Sequence, residues 1–322
     1  MIFENLTPDT ILSTVEQAAG VKLTGLINPL PSYINRVYEL RAHDGTKLIV
    51  KFYRQGRWSR DAILDEHRFI LDCNEAEIPV VPPVSLSDGT TLGENDSIFF
   101  ALFPKKAGRQ LEINDDSDWL RLGSLIGRLH NTGALRIASS RITINPLKSA
   151  IDDIHYLCAG IVPERFREQY RSTAMKIIDT GAELFEGPDT IRIHGDCHRG
   201  NILDRIEEGL LIIDFDDMAM GPPVQDLWLL LPDRHDKSRR EIDLFLEGYE
   251  RFRAFDRRSL RCIETLRAMR MIYFLSWVSR QVDDYRFRTL FPAWGNDAFW
   301  QQEINDLREQ AGFVMDDAER ES

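Results

Sequence analysis

Residues 191–203 read Ile-Arg-Ile-His-Gly-Asp-Cys-His-Arg-Gly-Asn-Ile-Leu, and residues 210–217 read Leu-Leu-Ile-Ile-Asp-Phe-Asp-Asp. The apolar runs 202–203 and 210–213 flank a Glu-Glu-Gly turn signal, and this pattern predicts a β-hairpin. An antiparallel hairpin brings its two open ends together. We therefore expect Asn201, just before the first strand, and Asp214, just after the second, to emerge side by side.

Asp196 lies in the loop that enters this hairpin, five residues before Asn201. A carboxylate, a carboxamide and a second carboxylate thus converge, and such oxygen ligands suit a hard cation like Mg²⁺, whose shell is completed by waters and substrate phosphates. In kinases an Asp accepts the proton of the acceptor hydroxyl, and an Asn and a second Asp bind the metal. By this kinase pattern, Asp196 would be the catalytic base. Asn201 and Asp214 would hold Mg²⁺, and Asp214 is counted among the catalytic residues.

Other interpretations of this stretch are weaker or remain open. His194, Cys197 and His198 could form a transition-metal cluster with Asp196, but no second ligand group of matching spacing follows, and the Asn and the hairpin would then be unexplained. We interpret His194 as a loop histidine that holds the backbone. Cys197 is interpreted as a packed side chain, with a redox role as the alternative. Asp216 is either a supporting or second metal group or an ordinary charge, and Asp217 is expected to be a solvated charge.

An upstream lysine and glutamate complete the predicted site. Lys51 lies in the apolar run 48–52, which predicts a strand, and a helix should begin after Ser59, a good N-cap. Ile63, Glu66 and Ile70 share one stripe of that helix, and a carboxylate on an apolar stripe needs a cation. We expect Lys51 to be that cation and Glu66 to orient it toward the α- and β-phosphates of ATP, as in kinases.

The first third of the chain predicts a small antiparallel sheet. After a helix at 8–19 come strand patterns at 21–27, 35–40, 48–53, 84–86 and 98–103. The turn at 28–33 occupies the place of a kinase phosphate loop but lacks glycine, so we propose Ser32, which offers a hydroxyl and a backbone amide, as a nucleotide contact; an ordinary hairpin turn is the alternative.

Beyond the break at 103–108, where adenine would bind through backbone groups, the chain turns helical. Helical patterns follow at 119–133, 151–184, 224–231, 239–252, 258–278 and 297–311, and the acidic tail 316–322 is expected to be frayed. We place the boundary at this break, with a nucleotide-binding lobe at 1–105 and a catalytic and acceptor-binding lobe at 106–322.

These motifs resemble the catalytic and metal loops of the aminoglycoside phosphotransferase and choline kinase superfamily, and within it the bacterial stress response kinase A family. Five further stretches carry this resemblance in order, Ser-Tyr-Ile-Asn-Arg-Val-Tyr (32–38), Val-Lys-Phe-Tyr-Arg (50–54), Gly-Arg-Gln (108–110), Gly-Pro-Pro-Val-Gln-Asp-Leu-Trp (221–228) and Leu-Arg-Ala-Met-Arg (266–270). The resemblance implies an α+β, bilobal protein-kinase-like fold with a small antiparallel-sheet N-lobe and a large, mostly helical C-lobe. It also implies an ATP-dependent kinase with a protein Ser or Thr as acceptor, and makes autophosphorylation plausible.

Composition limits the setting in which such an enzyme would act. A net charge of −12 argues against broad nucleic-acid binding and leaves room for a cationic substrate or a basic protein surface. No apolar run approaches the ~20 residues needed to span a bilayer, and the four cysteines are scattered without paired spacing. We expect a cytoplasmic monomer without a membrane partner.

Two rivals share these residues. A small-molecule kinase acting on an aminoglycoside or an amino alcohol would use the same groups and suits the acidic composition. A nucleotide-binding scaffold without turnover is the other rival, but such a protein typically lacks at least one of Lys51, Glu66, Asp196, Asn201 and Asp214, all of which are present.

Overall fold

A computed structural model of the protein describes residues 3, 5–32, 34–185, 187–283 and 287–319. The chain forms two compact units. The first comprises Met1–Arg141, Arg192–Met218 and Asp243–Arg253, and the second comprises Ile142–Ile191, Ala219–Ile242 and Ala254–Ser322. All the residues proposed for the site lie in the first unit.

The first unit contains a five-stranded antiparallel sheet. Its strands are β1 (Leu23–Leu30), β2 (Arg36–Ala42), β3 (Lys47–Phe52), β4 (Gly93–Asn95) and β5 (Ile98–Pro104), in the order β1-β2-β3-β5-β4. β3 is central, and Lys51 pairs with Val37 of β2 and Ala101 of β5. Lys51 is therefore held by hydrogen-bonded neighbours on both sides rather than at a mobile edge.

Two helices accompany the sheet, and local sequence explains their ends. In α1 (Pro8–Ala19), the Thr7 side chain caps the first turn and Gly20 adopts the left-handed conformation that ends the helix. In α2 (Arg60–Glu75), the Ser59 hydroxyl accepts from the amide of Ala62, as the N-cap prediction requires. The apolar stripe of α2 is buried and carries Glu66 with it.

The remainder of the first unit supports a second small sheet. It contains β6 (Arg109–Gln110), α3 (Asp116–Gly133), part of β7 (Ile191–Ile193), β8 (Ile202–Arg205) and β9 (Gly209–Ile212). β8 pairs with both β6 and β9, all antiparallel. The predicted hairpin is thus confirmed.

The second unit is mostly helical. Its elements are α4 (Ile151–Gly160), α5 (Glu164–Leu184), β10 (Ala219–Gly221), α6 (Val224–Trp228), the start of α7 (Arg239–Tyr249), α8 (Ile263–Ser279), α9 (Phe287–Leu290) and α10 (Asp297–Glu319). α5 approaches α8 closely, because a Cβ on Gly181 would lie 2.3 Å from Cγ2 of Thr265. The predicted α+β class, with an antiparallel sheet followed by helices, is confirmed.

Several predicted elements are wrong in extent. Residues 28–30 belong to β1 rather than to a turn, and 84–86 form no strand. The amides of Val84 and Leu86 donate to two separate partners, the carbonyls of Leu102 and Thr90, rather than to one neighbouring strand. β4 takes that place at the sheet edge. The predicted helix from residue 224 is only five residues long, and α10 continues eight residues beyond its predicted end to Glu319.

The predicted division at residue 105 stays a prediction, since the two compact units follow a different, discontinuous division of the chain. The predicted frayed tail includes residues 320–322, which lie outside the described residues. Over the described ranges, every helix is too short or too polar to cross a lipid bilayer.

Candidate active site

The hairpin formed by β8 and β9 sets the position of the predicted metal ligands. Ile202 pairs with Ile212, and beyond that pair the amide of Ile213 donates to the carbonyl of Asn201 at 2.9 Å. This bond closes the open end of the hairpin. Asn201 and Asp214 therefore lie at the open end of the hairpin, as the predicted hairpin requires.

The loop before the hairpin is locked to the segment after it. Gly195 has φ +85°, and a Cβ there would lie only 2.1 Å from the carbonyl oxygen of Asp217. His194 is buried, its Nε2 donates to the carbonyl of Ile213 at 2.9 Å, and its ring packs 4.7 Å from that of Phe215. His194 thus contacts the backbone and a ring, as its interpretation as a structural loop histidine requires.

Asp196 and Asn201 are joined through the backbone of this loop. Nδ2 of Asn201 donates to the carbonyl of Asp196 at 3.0 Å, which leaves the amide oxygen of Asn201 as the atom that can face a cation. Nδ1 of His198 accepts from the amide of Gly200 at 3.0 Å, so in the neutral ring the proton lies on Nε2. That Nε2 is 3.5 Å from Oδ2 of Asp196.

Asp214 stands in an unusual backbone conformation. Its φ of 62° and ψ of 69° are left-handed, which costs a residue with a Cβ about 1–2 kcal/mol. Its side chain is 55% exposed, and Oδ1 lies 3.3 Å from Nζ of Lys51. Strained backbone at a non-glycine residue concentrates at functional sites, and here it presents an accessible carboxylate.

Lys51 is the centre of a carboxylate cluster. Its Nζ lies 2.9 Å from Oδ1 of Asp216, 3.3 Å from Oδ1 of Asp214 and 3.7 Å from Oε1 of Glu66. Burial lowers the pKa of Lys51, but Asp216, Glu66 and Asp214 raise it more, so its pKa lies well above the ordinary value. The structure brings Lys51 and Glu66 together as predicted and keeps the ammonium charged.

The structure agrees with one of the two alternatives for Asp216 and contradicts the expectation for Asp217. Asp216 is buried between Lys51 and Arg57, whose Nη1 is 3.5 Å from Oδ2 of Asp216. Burial raises the pKa of Asp216, but Lys51 and Arg57 outweigh burial and lower it to about 2. Asp216 is therefore a supporting anion, whereas the solvated charge predicted for Asp217 is wrong, because it forms an ion pair of 2.5 Å with Arg57.

Sequence reasoning missed two arginines. Arg57 precedes the N-cap of α2, and Arg141 follows a segment without periodic pattern, so neither carries a signal in the printed sequence. Arg141 is fully buried and its Nη2 lies 2.8 Å from Oε2 of Glu66. Glu66 thus meets two cations, not the single lysine that its place on an apolar stripe indicated.

Ser32 lies half-buried just after β1, outside the regular strand. Across the described part of the chain, no hydrogen bond or ion pair joins its side chain to Lys51, Asp196, Asn201 or Asp214. Its nucleotide contact stays a prediction.

The oxygen donors fit a Mg²⁺ ion in kind. Within the described residues, no three His, Cys, Asp or Glu side chains are grouped to hold a metal ion, and Cys197 is buried. The carboxylate of Asp214 and the amide oxygen of Asn201 remain the candidate ligands for this ion. One or two protein oxygens, with waters and phosphates, are the typical protein share of a Mg²⁺ shell.

Comparison with known proteins agrees with this geometry. Residues 27–263 match the phosphotransferase enzyme family. Stress response kinase A of Escherichia coli (strain K12) is 36% identical over 316 residues, which cover 98% of this chain and 95% of that protein. Serine/threonine protein kinase RdoA of Salmonella typhimurium (strain LT2) is 34% identical over 310 residues, 96% of this chain and 93% of that protein.

A solved structure of an amicoumacin kinase in complex with AMP-PNP, Ca²⁺ and Ami has the same fold. It aligns with a TM-score of 0.74 at 17% identity, over 94% of this chain and 92% of that one. The kinase-like fold is thereby confirmed. The chain belongs to the phosphotransferase enzyme family, and its relatives within that family include stress response kinase A.

Proposed function

We propose that the protein transfers the γ-phosphoryl group of ATP, with Mg²⁺, to a serine or threonine hydroxyl of a protein. The observation that carries this proposal is the meeting of Lys51, Glu66 and Asp214, which lie far apart in the sequence, around one buried ammonium group. A lysine oriented by a helix glutamate, next to an aspartate that follows a hairpin strand, is the arrangement with which kinases bind Mg·ATP.

Lys51 would hold the α- and β-phosphates. Its ammonium is surrounded by three carboxylates, so it keeps its charge and can exchange the exposed carboxylate of Asp214 for phosphate oxygens. Glu66 and Asp216 are buried and would keep Lys51 in place during that exchange. Ser32, through its amide and hydroxyl, is the proposed additional phosphate contact.

Asn201 and Asp214 would hold the Mg²⁺ ion. The ion, when bound, neutralises negative charge on the phosphates. The backbone bond between Ile213 and Asn201 and the bond from Nδ2 of Asn201 to Asp196 fix both ligands before metal binds.

Asp196 would orient the acceptor hydroxyl and take its proton. Nε2 of His198 lies 3.5 Å from Oδ2 of Asp196 and would help to orient this carboxylate. Because phosphoryl transfer demands little covalent work from the protein, the rate gain would come mainly from positioning and from charge neutralisation.

A protein acceptor is supported by the relatives at 34–36% identity, one of which bears the name serine/threonine protein kinase. The shared fold of the amicoumacin kinase supports the alternative of a small-molecule acceptor, such as an aminoglycoside or an amino alcohol, and the net charge of −12 suits a cationic acceptor of either kind. The cytoplasmic location, the monomeric state and the two-lobe division at residue 105 belong to the same proposal.

Incubation of the purified protein with Mg²⁺ and ATP labelled on the γ-phosphate tests the proposal. The protein is assayed alone, with histone as a basic protein, and with kanamycin as an aminoglycoside. Label on serine or threonine supports a protein kinase, label on kanamycin supports the small-molecule alternative, and no label supports the scaffold rival.

Two variants control this assay. Asp196→Asn should lose the label because it removes the proposed base. Asp204→Asn should keep it, because Asp204 lies on β8 with its carboxylate paired to Arg121 on the surface. Equal labelling by the two variants would reject the assignment of Asp196.

A further inference from the structure

Arg141 is a buried arginine to which the phosphotransfer roles assign nothing. Its side chain has no exposed surface, and its guanidinium lies 4.2 Å from the ring centre of Trp58. An arginine is buried at high cost unless its donors and charge are satisfied. The partners that satisfy it therefore indicate what it holds together.

Three contacts connect Arg141 to two elements. Nε donates to the carbonyl of Ala62 and Nη2 to Oε2 of Glu66, both at 2.8 Å and both on α2. Nη1 donates to the carbonyl of Asp216, also at 2.8 Å. One planar guanidinium therefore fastens two turns of α2 to the backbone two residues beyond Asp214.

Arg141 makes the shorter contact with Glu66, and Lys51 makes the longer one. Oε2 of Glu66 receives the 2.8 Å bond from Arg141, whereas Oε1 lies 3.7 Å from Nζ of Lys51 and 3.3 Å from the hydroxyl of Tyr53. A separation of 3.7 Å is too long for a strong hydrogen bond. Arg141 thus makes the hydrogen bond that orients Glu66, and the other oxygen of that carboxylate faces Lys51.

We propose that Arg141 is a positioning residue for nucleotide binding. It joins Glu66 to the Asp214–Asp217 segment, so that Lys51 and Asp214 are held in their binding positions before ATP binds. This inference rests on the proposed function of the same site. It adds that α2 and the metal-binding segment are fastened by the chain itself, without a nucleotide. Arg→Lys is not conservative here, because an ammonium cannot reproduce three donors in one plane.

A double-mutant cycle tests whether Arg141 acts through Glu66. The variants are Arg141→Met, Glu66→Gln and the double substitution, measured for kcat/KM with ATP and for the Kd of Mg·ATP by titration calorimetry. Each single substitution should lower kcat/KM by about 10- to 100-fold, the range found for residues that orient ligands from behind. The kcat/KM of the double variant should be no lower than that of the more impaired single variant, because both substitutions remove the same interaction.

Arg192 supplies the matched control. It is also a buried arginine, its Nη1 lies 2.7 Å from Oδ2 of Asp72 on the same helix α2, and it lies over the ring of Phe69. It makes no contact with Glu66 within the described chain. Arg192→Met should lower the melting temperature, as Arg141→Met does, but its effect on kcat/KM should be small and should multiply with that of Glu66→Gln.

Thermal melting of each variant establishes that it is folded at the assay temperature, and Arg141→Lys replaces Arg141→Met if the latter does not fold. The positioning role would be overturned if the loss of kcat/KM in the double variant equalled the product of the two single losses. An unchanged kcat/KM in folded Arg141→Met would also overturn it. If wild type binds Mg·ATP but transfers no phosphate, the proposed function fails, and the cycle on Kd still decides the role of Arg141. A wild type that binds no Mg·ATP overturns both.

Discussion

Gly195→Ala should disrupt the site far more than the same change at another left-handed glycine. Gly195 has φ +85°, and a Cβ there would lie 2.1 Å from the carbonyl oxygen of Asp217, while ordinary contact begins near 3.4 Å. One of the two backbones must therefore move by about 1.3 Å. Gly209 has φ +82°, and a Cβ there would meet nothing within 4 Å.

The two positions separate conformational strain from collision. A left-handed residue with a Cβ costs about 1–2 kcal/mol, which both variants should lose. Overpacking typically costs about 1–3 kcal/mol more, so Gly195→Ala should lose about 2–5 kcal/mol of unfolding free energy. A shift near 1 Å in catalytic groups can cost about a hundredfold in rate, and Gly195→Ala should lose that much turnover.

Urea denaturation and ATP turnover of both variants test this reasoning. Gly209→Ala should be mildly destabilised and should turn over ATP like wild type. The coupling of the two loops would be refuted if both variants lost the same stability and Gly195→Ala kept wild-type turnover.

Three further predictions concern charged groups. Lys51→Met should weaken Mg·ATP binding by about 10- to 100-fold, since a hydrogen bond to a charged group contributes about 1.5–3 kcal/mol; titration calorimetry with unchanged affinity would contradict the role of Lys51. Asp214→Ala should lower both Mg·ATP affinity and transfer, and retention of Mg²⁺-dependent binding would count against it as a metal ligand. His235 lies 3.4 Å from Oε1 of Glu264 and 3.6 Å from Oδ1 of Asp317, and its hydrogen bond to Glu264 is the main cause that raises its pKa above 6.5. Because the pKa is raised by folding, this contribution is full below pH 6.5 and is lost as pH rises through the folded pKa. The stability gap between wild type and His235→Gln in urea should therefore shrink as pH rises, and a gap that widens would contradict the contact.

Features that depend on residues close together in the chain could be predicted from the sequence. The hairpin follows from two apolar runs around a turn, α2 begins where Ser59 can cap it, and Glu66 required a cation because its stripe is apolar. Each of these inferences uses neighbours within a few residues, or one strong imbalance of charge and burial.

The arginines show where that reasoning ends. Arg141 contacts Glu66 across 75 positions and Arg57 contacts Asp217 across 160, and both pairings depend on tertiary structure that no periodicity encodes. The solvated charge expected for Asp217 was wrong for the same reason. The missed edge strand β4 has only three residues, too few to show an alternation.

We propose that Asp196 accepts the proton of the acceptor hydroxyl at a site that binds Mg·ATP through other residues. The most direct test measures kcat and the Kd of Mg·ATP for wild type and Asp196→Asn under the same conditions. In Asp196→Asn we expect kcat to fall by about 10²- to 10⁴-fold, the range for loss of a general base, while the Kd of Mg·ATP stays unchanged. Wild-type kcat in Asp196→Asn would contradict it.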